Sequence, residues 1–222
     1  MPDSPARTKG ARTTPHHLLK RVLHVGCGVY TPDKLHENFR RPDWREVRLD
    51  INPAVLPDIV ASITDMRAVE DESFEALYSS HNLEHLHPHD VPLALSEFYR
   101  VLRPEGFLLL TLPDLRQAAE DIARGREEEP VLLTNRGPIT PLDILYGFRP
   151  FLAAGNLHMA HNFAFTSATL EKALREAGFA DISVTRDGQY NLWAVASKKR
   201  NREDSALQKP FRKEGECLKT PD

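Results

Sequence analysis

The sequence predicts an α/β fold with a doubly wound, mostly parallel sheet of seven strands that ends in an antiparallel hairpin. Between residues 20 and 198, short apolar runs alternate with helical patterns, which is typical of parallel strands joined by helical crossovers. The run "FLLLTL" at 107–112 is almost wholly apolar, as in a strand that is covered on both faces. Near the end, Asp187-Gly188 separates two further strand-like runs and favours a hairpin turn.

Each element has its own signal in the sequence. The strand-like runs are 21–26, 46–50, 58–62, 74–80 and 107–112, followed by the two hairpin strands within 181–197. Amphipathic helices are predicted within 90–106, 115–125 and 166–178. In the first of them Asp90 is suited to the N-cap, and Pro104 with Gly106 ends the helical pattern.

Composition and charge fit a single globular domain. The chain has 222 residues, a net charge of −3 and two cysteines, Cys27 and Cys217, in unlike settings. Two isolated thiols form no disulfide framework, so we expect a reducing cytoplasm. The small net charge favours neither nucleic acid nor an anionic membrane as a partner, and no run of about 18 apolar residues predicts a membrane span. We expect a disordered basic arm at 1–19 and a disordered charged tail at 199–222 around a domain at 20–198.

Glycine and polar residues follow three successive predicted strands, at the sheet edge where α/β proteins bind ligands. Gly26 and Gly28 allow a tight turn and a close approach of the backbone to a ligand, although a plain turn explains them equally well. Asp50 ends the second strand and is suited to a ribose or to capping a helix. After the third strand, Asp65 and Met66 offer an acceptor and an apolar wall to adenine. Together these residues predict a cofactor that contains adenosine.

Two adenosine cofactors compete for this pattern. A dinucleotide requires the pyrophosphate cradle G-x-G-x-x-G at the start of a helix. Here Val29, Tyr30 and Thr31 follow Gly28, so the third glycine of the cradle is missing. S-adenosylmethionine has no phosphate, and an incomplete cradle therefore matters less for it.

A family resemblance extends over roughly residues 20–198. It is carried by the segments "LHVGCG", "RLDINP", "ITDMRAVEDESFEALYSSHNLEHL", "EFYRVLRPEGFLLLTLPD" and "FTSATLEKALREAGFADISV". The chain resembles a class I S-adenosylmethionine-dependent methyltransferase of the broad "methyltransferase type 11" group. Residues 139–166 further resemble a bacterial subgroup of predicted methyltransferases. The resemblance implies a Rossmann-like fold, S-adenosylmethionine as the cofactor and methyl transfer as the activity.

Carried over by position, the resemblance implies roles for the matching residues. Gly26, Cys27 and Gly28 would pass close to the methionine part of the cofactor, Asp50 would hold the ribose, Ile51, Asp65 and Met66 would contact adenine, and Ser80, His81 and Leu83 would form the wall beside the sulfonium. Two residues depart from the family pattern: His24 replaces an acidic residue and Tyr30 replaces a glycine. How the amino and carboxylate groups of the methionine part are held is therefore left open.

The stretch "SSHNLEHLHPHD" also contains a metal pattern, because His81, Glu84 and His85 spell H-x-x-E-H, the zinc signature of inverted metalloproteases. That signature needs His81 and His85 one turn apart on a stable helix. His81 instead follows a predicted strand, and Pro88 interrupts any helix soon after His85. No third ligand is evident downstream, although Glu97 stays open. We therefore assign no metal site from the sequence and place only His81 beside the cofactor.

Residues 126–165 lie where an insertion that covers the substrate is expected. A loop of this length inside a compact domain is usually functional or disordered, and its aromatic content favours packing. Its candidate substrate-binding residues are Tyr146, Arg149 and His158. Arg149 is suited to an anionic group of the substrate, but it could equally pair with a nearby carboxylate.

The candidate catalytic residues are His161, Asp114 and His81. His161 is the first candidate for a general base, since neutral imidazole accepts a proton near pH 7. A histidine that is hydrogen-bonded within the insertion is the alternative interpretation. Asp114 follows the fifth strand and is either a second candidate base or the N-cap of the next helix.

We expect the methyl acceptor to be a small molecule with a hydroxyl or amine, such as a glycan or metabolite. The end of the fourth strand lacks the motif of enzymes that methylate DNA bases or glutamine, and no basic–aromatic stripe suggests an RNA track. The alternatives are a non-catalytic, regulatory S-adenosylmethionine-binding protein and, less favoured, an NAD-dependent oxidoreductase. The sequence leaves the oligomeric state open.

Overall fold

A computed structural model describes residues 19–134 and 136–199, so the predicted arm at 1–19 and tail at 199–222 lie almost wholly outside the described residues. The strands are β1 (Lys20–Val25), β2 (Trp44–Asp50), β3 (Ile59–Val60), β4 (Phe74–Ser80), β5 (Leu102–Pro113), β6 (Leu132–Thr134), β7 (Gly137–Ile139), β8 (Ala180–Arg186) and β9 (Asn191–Ser197). The α-helices are α1 (Val91–Val101), α2 (Leu115–Ile122), α3 (Pro141–Tyr146), α4 (Arg149–Ala153) and α5 (Ser167–Glu176). None of these helices is long and apolar enough to cross a bilayer.

Seven strands form one sheet in the order β3-β2-β1-β4-β5-β9-β8. The pairs from β3 to β5 are parallel, whereas β9 runs antiparallel to both β5 and β8. The predicted Rossmann-like α/β fold, with a mostly parallel seven-stranded sheet and a closing hairpin, is confirmed. The order of strands reverses between β1 and β4, and ligands bind at such a switch point, beyond the carboxyl ends of the strands.

The two faces of the sheet are covered differently. On one face, α1 and α5 bury side chains such as Phe98 and Leu170 against strand residues such as Leu77. On the other face, the segment 26–43 packs Leu35 and Phe39 against the sheet and contains only a short 3₁₀ turn, Glu37–Phe39. No α-helix therefore starts in the described chain directly after β1. A pyrophosphate cradle at a helix N-terminus is absent there, which disfavours a dinucleotide.

Some boundaries differ from the prediction because pairing between strands overrides the local pattern. β5 begins at Leu102, which pairs with Phe74 of β4, so α1 ends at Val101. The predicted end of that helix at 104–106 was wrong. β3 has two residues, Ile59–Val60, and not the five predicted at 58–62. The helix expected after residue 166 is present as α5.

A buried carboxylate, that of Asp121, connects α2 to the closing hairpin. The carboxylate of Asp121 accepts hydrogen bonds from the hydroxyl of Tyr190 and from the guanidinium of Arg126. These bonds hold the pKa of Asp121 below its usual value. Burial, together with the hydrogen bond to Asp121, raises the pKa of Tyr190 to about 12.

Replacing Asp121 should change how stability responds to acid. Because its pKa is lower in the folded than in the unfolded state, ionised Asp121 stabilises the fold above the unfolded pKa of about 3.9, and that contribution is lost as pH falls through the folded pKa. Asp121→Asn should melt earlier than the wild type near neutral pH and lose less melting temperature on acidification. Circular dichroism melts near neutral pH and at acidic pH measure this, with Glu120→Gln on an exposed position of α2 as the control. An unchanged acid response in Asp121→Asn would contradict the assignment.

Candidate active site

An open cleft of about 610 Å³ lies at the carboxyl ends of β1, β2 and β4. One side is formed by residues after β1 and β2, namely Gly26, Gly28, Lys34, Asp50 and Ile51. A second side is formed by residues after β3 and β4, namely Ala61, Ser62, Ile63, His81, Asn82 and His85. The third side comes from the predicted insertion, through Arg136, Phe151, Asn156, His158 and Met159. The cleft therefore lies at the switch point of the sheet, with residues of 126–165 opposite the strand ends.

The turn after β1 brings the backbone to the surface of the cleft. Gly26 has φ +57° and Gly28 has φ +59°, a region that glycine enters at little steric cost. A Cβ atom at Gly26 would lie 1.8 Å from Oδ1 of Asn82. The Asn82 side chain is held there because its Nδ2 lies 3.1 Å from the carbonyl oxygen of Val25. The turn after β1 and the end of β4 are thus locked together, and only glycine fits at position 26.

Asp50 supports this turn and faces the cleft at the end of β2. Its Oδ2 accepts a hydrogen bond of 2.8 Å from the backbone N–H of Gly28, and its Oδ1 accepts one of 2.9 Å from Asn52. A carboxylate has lone pairs for further donors, so both oxygens can still bind ligand hydroxyls. Beside it, Ile51 exposes 70% of its surface, which makes it an apolar wall of the cleft. Lys34 contributes a cationic group against the glycine turn, where a Cβ atom at Gly28 would lie 2.5 Å from its Nζ.

Three histidines and one glutamate form a cluster next to the end of β4, which we call the histidine–glutamate cluster (His81, Glu84, His85 and His161). Nδ1 of His81 lies 3.1 Å from Oε1 of Glu84, and the rings of His85 and His161 are 5.1 Å apart. His81 and His85 line the cleft, whereas Glu84 and His161 line a small pocket behind it. His81 also has φ +54°, a conformation that few non-glycine residues adopt.

The charges of this cluster depend on each other. Burial opposes ionisation of Glu84, but the hydrogen bond and charge of His81, together with His85 and His161, outweigh burial and lower its pKa. For His81, whose side chain is 45% exposed, the hydrogen bond and charge of Glu84 raise the pKa. For His161, burial dominates, so its pKa is lowered.

The fold has counterparts among solved structures of low sequence identity. The PH0226 protein of Pyrococcus horikoshii OT3 has 15% identity and a TM-score of 0.54, over 83% of this chain and 85% of that one. A SAM dependent methyltransferase of Archaeoglobus fulgidus has 16% identity and a TM-score of 0.52, over 81% and 86%. The 1,6-didemethyltoxoflavin-N1-methyltransferase of Burkholderia thailandensis, solved with 1,6-didemethyltoxoflavin and S-adenosylhomocysteine, has 16% identity and a TM-score of 0.50, over 83% and 73%. At these identities the likeness shows the fold.

The sequence comparison identifies the type of domain in the first half of the chain. No curated protein matches the chain. Residues 23–110, however, match a family model described as a methyltransferase domain, and this segment runs from β1 into β5 and contains the strand ends that build the cleft. Residues 23–110 thus belong to an S-adenosylmethionine-dependent methyltransferase domain. The cofactor of this methyltransferase is S-adenosylmethionine.

The structure separates the predicted cofactor residues of the methyltransferase into two groups. Gly26, Gly28, Asp50, Ile51 and His81 line the cleft. Five other predicted residues lie outside the lining. Cys27, Met66 and Leu83 are buried, and Asp65 pairs with Arg67. Ser80 is half-buried at the end of β4.

Asp65 and Met66 miss the cleft for a physical reason. Because β3 stops at Val60, the chain reaches the cleft earlier than predicted, and the residues that line it are 61–63. Farther on, the backbone N–H of Met66 is bound by Glu97, and its side chain packs fully into the core. Asp65 and Met66, predicted beside adenine, therefore lie outside the cleft lining, and Ser62 and Ile63 line the cleft instead.

Two predicted catalytic or substrate residues of the methyltransferase have structural tasks instead. Asp114 is fully buried, caps α2 through the N–H of Arg116 and forms an ion pair with Arg186, so it cannot act as a base in the cleft. Arg149 binds Asp143 and Glu128, at 2.9 Å each, so its guanidinium is paired with carboxylates of the chain and is not part of the cleft lining. In both cases the alternative interpretation, a cap and a local ion pair, describes the side chain.

Of the remaining candidates in the insertion, one lines the cleft and two do not. His158 lines the cleft and is exposed. Tyr146 is 57% exposed and lies outside the lining. His161 does not line the cleft. Its Nδ1 is bound to the carbonyl oxygen of Ile144, and its ring lines the small neighbouring pocket.

Sequence reasoning missed several residues that the methyltransferase presents to the cleft, chiefly Lys34, Asn82, Phe151 and Met159. Asn82 directly follows His81 at a strand end and could have been found by the same strand-end logic. Lys34 lies in an irregular segment after the glycine turn, where no periodic pattern indicates which way a side chain points.

Proposed function

We propose that this methyltransferase transfers a methyl group to a hydroxyl or amine of a small molecule, such as a glycan or metabolite. The observation that carries the proposal is the shape of the cleft. Strand-end residues bound one side and residues from 136–159 bound the other, so a single cavity has room for the cofactor and an acceptor. No basic stripe of the kind that follows a nucleic acid backbone is part of this lining.

The residues of the cleft fit S-adenosylmethionine. The glycine turn lets the backbone approach a ligand without a phosphate-binding helix, and Asp50 is available to the hydroxyls of a ribose. We assign the adenine to the apolar side chains of Ile51 and Ile63. At the other end we assign the methionine carboxylate to Lys34 and its amino group to Asn82. These residues would hold the methionine part although His24 replaces the acidic residue that the family usually has. When bound, the cofactor supplies a methyl group on a sulfonium, already activated for displacement.

The chain's own contribution is alignment and exclusion of water, because methyl transfer is an in-line displacement. Phe151 and Met159 cover the cleft opposite the strand ends and would keep water from the reacting atoms. His81 faces the same space with Nδ1 fixed by Glu84, so its ring has a defined orientation toward the acceptor or the sulfonium. His158 adds an exposed imidazole that can hydrogen-bond the acceptor.

Cofactor binding can be tested by thermal melting. S-adenosylmethionine and S-adenosylhomocysteine should each raise the melting temperature, whereas NAD should not. At about 100 times its dissociation constant, a ligand stabilises by about 2.7 kcal/mol, which corresponds to roughly 5–10 °C for a domain of this size. A shift with NAD alone, or no shift with either sulfur compound, would overturn the assignment of the cleft.

The acceptor side can be tested with His158→Ala. It should lower methyl incorporation into a library of small-molecule hydroxyls and amines by about tenfold or more, equivalent to about 1.4 kcal/mol of transition-state binding. Its affinity for S-adenosylhomocysteine, measured by calorimetry, should stay that of the wild type. Tyr146→Ala is the matched control, because Tyr146 is exposed on the same segment outside the cleft. Equal activity of both variants would remove His158 from the acceptor site.

A further inference from the structure

Three side chains of the histidine–glutamate cluster converge on one point. Glu84, His85 and His161 each offer a ligand atom, and these atoms all lie within 4.8 Å of one another. Two come from the 3₁₀ turn Leu83–His85 after β4, and the third comes from the far end of the insertion. This is not the inverted-protease pattern, because His81 is not in the set and Glu84 stands in it as a ligand.

Both histidines have Nδ1 bound to the backbone, which leaves Nε2 for a metal. Nδ1 of His85 lies 3.0 Å from the carbonyl oxygen of Ala160, and Nδ1 of His161 lies 2.8 Å from that of Ile144. A carbonyl oxygen only accepts, so each Nδ1 carries the hydrogen and each neutral ring presents the lone pair of Nε2. A backbone carbonyl behind the ring is the usual outer partner of a metal-bound histidine.

Glu84 provides an anionic oxygen without a partner. The residue is only 1% exposed, and its Oε1 faces His81, but its Oε2 is buried and has no hydrogen-bond partner among the described residues. A buried carboxylate oxygen that lacks a partner is costly and calls for an explanation. A cation held between Glu84 and the two Nε2 atoms supplies one.

The backbone fixes these ligands before any ion binds. The carbonyl oxygen of Glu84 accepts hydrogen bonds from the N–H groups of Asn162, at 2.8 Å, and Phe163, at 3.1 Å. The amide of Asn162 donates to the carbonyl oxygen of His85 at 2.8 Å. The strand-end turn and residues 160–163 are thus one rigid unit, although they are far apart in the sequence.

We propose that Glu84, His85 and His161 bind one divalent transition metal ion of the zinc type. Two imidazoles and one carboxylate are a known zinc ligand set, while Mg²⁺ and Ca²⁺ prefer oxygen ligands alone. Three protein ligands leave a position open, as in catalytic rather than structural zinc sites. His85 lines the cleft, so the open position suits a water molecule or, in a step that rests on the proposed function, an oxygen of the acceptor.

The test is calorimetric titration of the full chain, stripped of metal by a chelator, with ZnCl₂ in the absence of cofactor. We expect one zinc per chain and no comparable heat with MgCl₂. His85→Ala, His161→Ala and Glu84→Gln should each weaken zinc binding by more than the roughly 10–100-fold typical of losing an outer partner. Because cofactor is absent, a failure here leaves methyl transfer untouched, and a failure of cofactor binding leaves the zinc site untouched.

The controls are histidines and a thiol outside the cluster. His87 and His89 have stacked rings 5.6 Å apart and could bind zinc adventitiously, so His87→Ala/His89→Ala must retain full affinity. His16→Ala/His17→Ala/Cys217→Ser must retain it as well. Loss of zinc in either control, with retention in His85→Ala, would overturn the proposal.

If a cluster variant fails to fold, X-ray absorption spectroscopy of the zinc-loaded wild type identifies the ligand atoms. The expected spectrum shows two imidazoles and oxygen at about 2.0–2.2 Å. Sulfur in the zinc shell, or fewer than two imidazoles, would overturn the proposal.

Discussion

Asp50→Ala should weaken the binding of S-adenosylhomocysteine by about 100-fold or more, equivalent to about 2.8 kcal/mol. Two effects combine. The variant loses the carboxylate that we assign to the ribose, and hydrogen bonds to a charged group contribute about 1.5–3 kcal/mol each. It also loses the acceptor that fixes the N–H of Gly28, at 2.8 Å, and so loosens the glycine turn. Isothermal titration measures the affinity directly.

The control must remove a carboxylate with the same backbone task outside the cleft. Asp58 is suitable, because its Oδ2 accepts a 2.7 Å hydrogen bond from the N–H of Arg48 in the same strand, and it does not line the cleft. Asp58→Ala should therefore lose some stability but keep its affinity for the cofactor product. Equal losses of affinity in Asp50→Ala and Asp58→Ala would show that strand distortion, and not a ribose contact, explains the effect.

The fold could be predicted because its signals are local. Apolar runs, the glycine and threonine at helix ends and the Asp187-Gly188 turn each act within a few residues, and the parallel arrangement follows from their alternation. The same locality explains why the sequence pointed to Gly26, Gly28, Asp50 and His81, which all line the cleft. Each ends a strand or lies within three residues of a strand end, and the carboxyl ends of parallel strands meet at one edge of the sheet.

The errors come from long-range geometry. Whether Arg149 faces a ligand or a carboxylate depends on where Asp143 and Glu128 lie after folding, and they lie within 3 Å of its guanidinium nitrogens. Residues 61–63, and not Asp65 and Met66, line the cleft because the pairing of β3 with β2 ends at Val60. Neither the carboxylates around Arg149 nor the end of the β3 pairing can be read from a short stretch of sequence.

The histidine–glutamate cluster shows the same limit most clearly. The pattern H-x-x-E-H was rejected as a metal site because His81 follows a predicted strand, Pro88 interrupts any helix, and no third ligand was evident downstream. In the structure a third candidate ligand comes from the far end of the insertion, where His85 Nδ1 meets the carbonyl oxygen of Ala160, 75 positions further along the chain. The metal hypothesis thus needed the fold, since the hydrogen bonds that bring residues 160–163 to Glu84 join segments without a shared pattern.

Gly26→Ala should be the most damaging single change to the cleft. An alanine at φ +57° is strained by about 1–2 kcal/mol, and its Cβ would lie 1.8 Å from Oδ1 of Asn82, a side chain anchored to the carbonyl oxygen of Val25. Overpacking of an anchored site adds about 1–3 kcal/mol. We therefore expect a loss of about 2–5 kcal/mol in the free energy of unfolding, measured by urea denaturation, and loss of cofactor binding as the turn shifts.

The steric part of this effect can be separated from the backbone part. Gly188 has φ +73°, and a Cβ atom there would meet nothing within 4 Å, so Gly188→Ala reports the strain of the positive φ alone. Removing the obstacle with Asn82→Ala in the Gly26→Ala background should recover the steric share, because the two positions are in contact and their effects are then not additive. Additive losses in the double variant, or equal losses at Gly26 and Gly188, would show that Asn82 does not close over the turn. A recovery would instead establish that the end of β4 determines how closely the backbone of β1 can approach the cofactor.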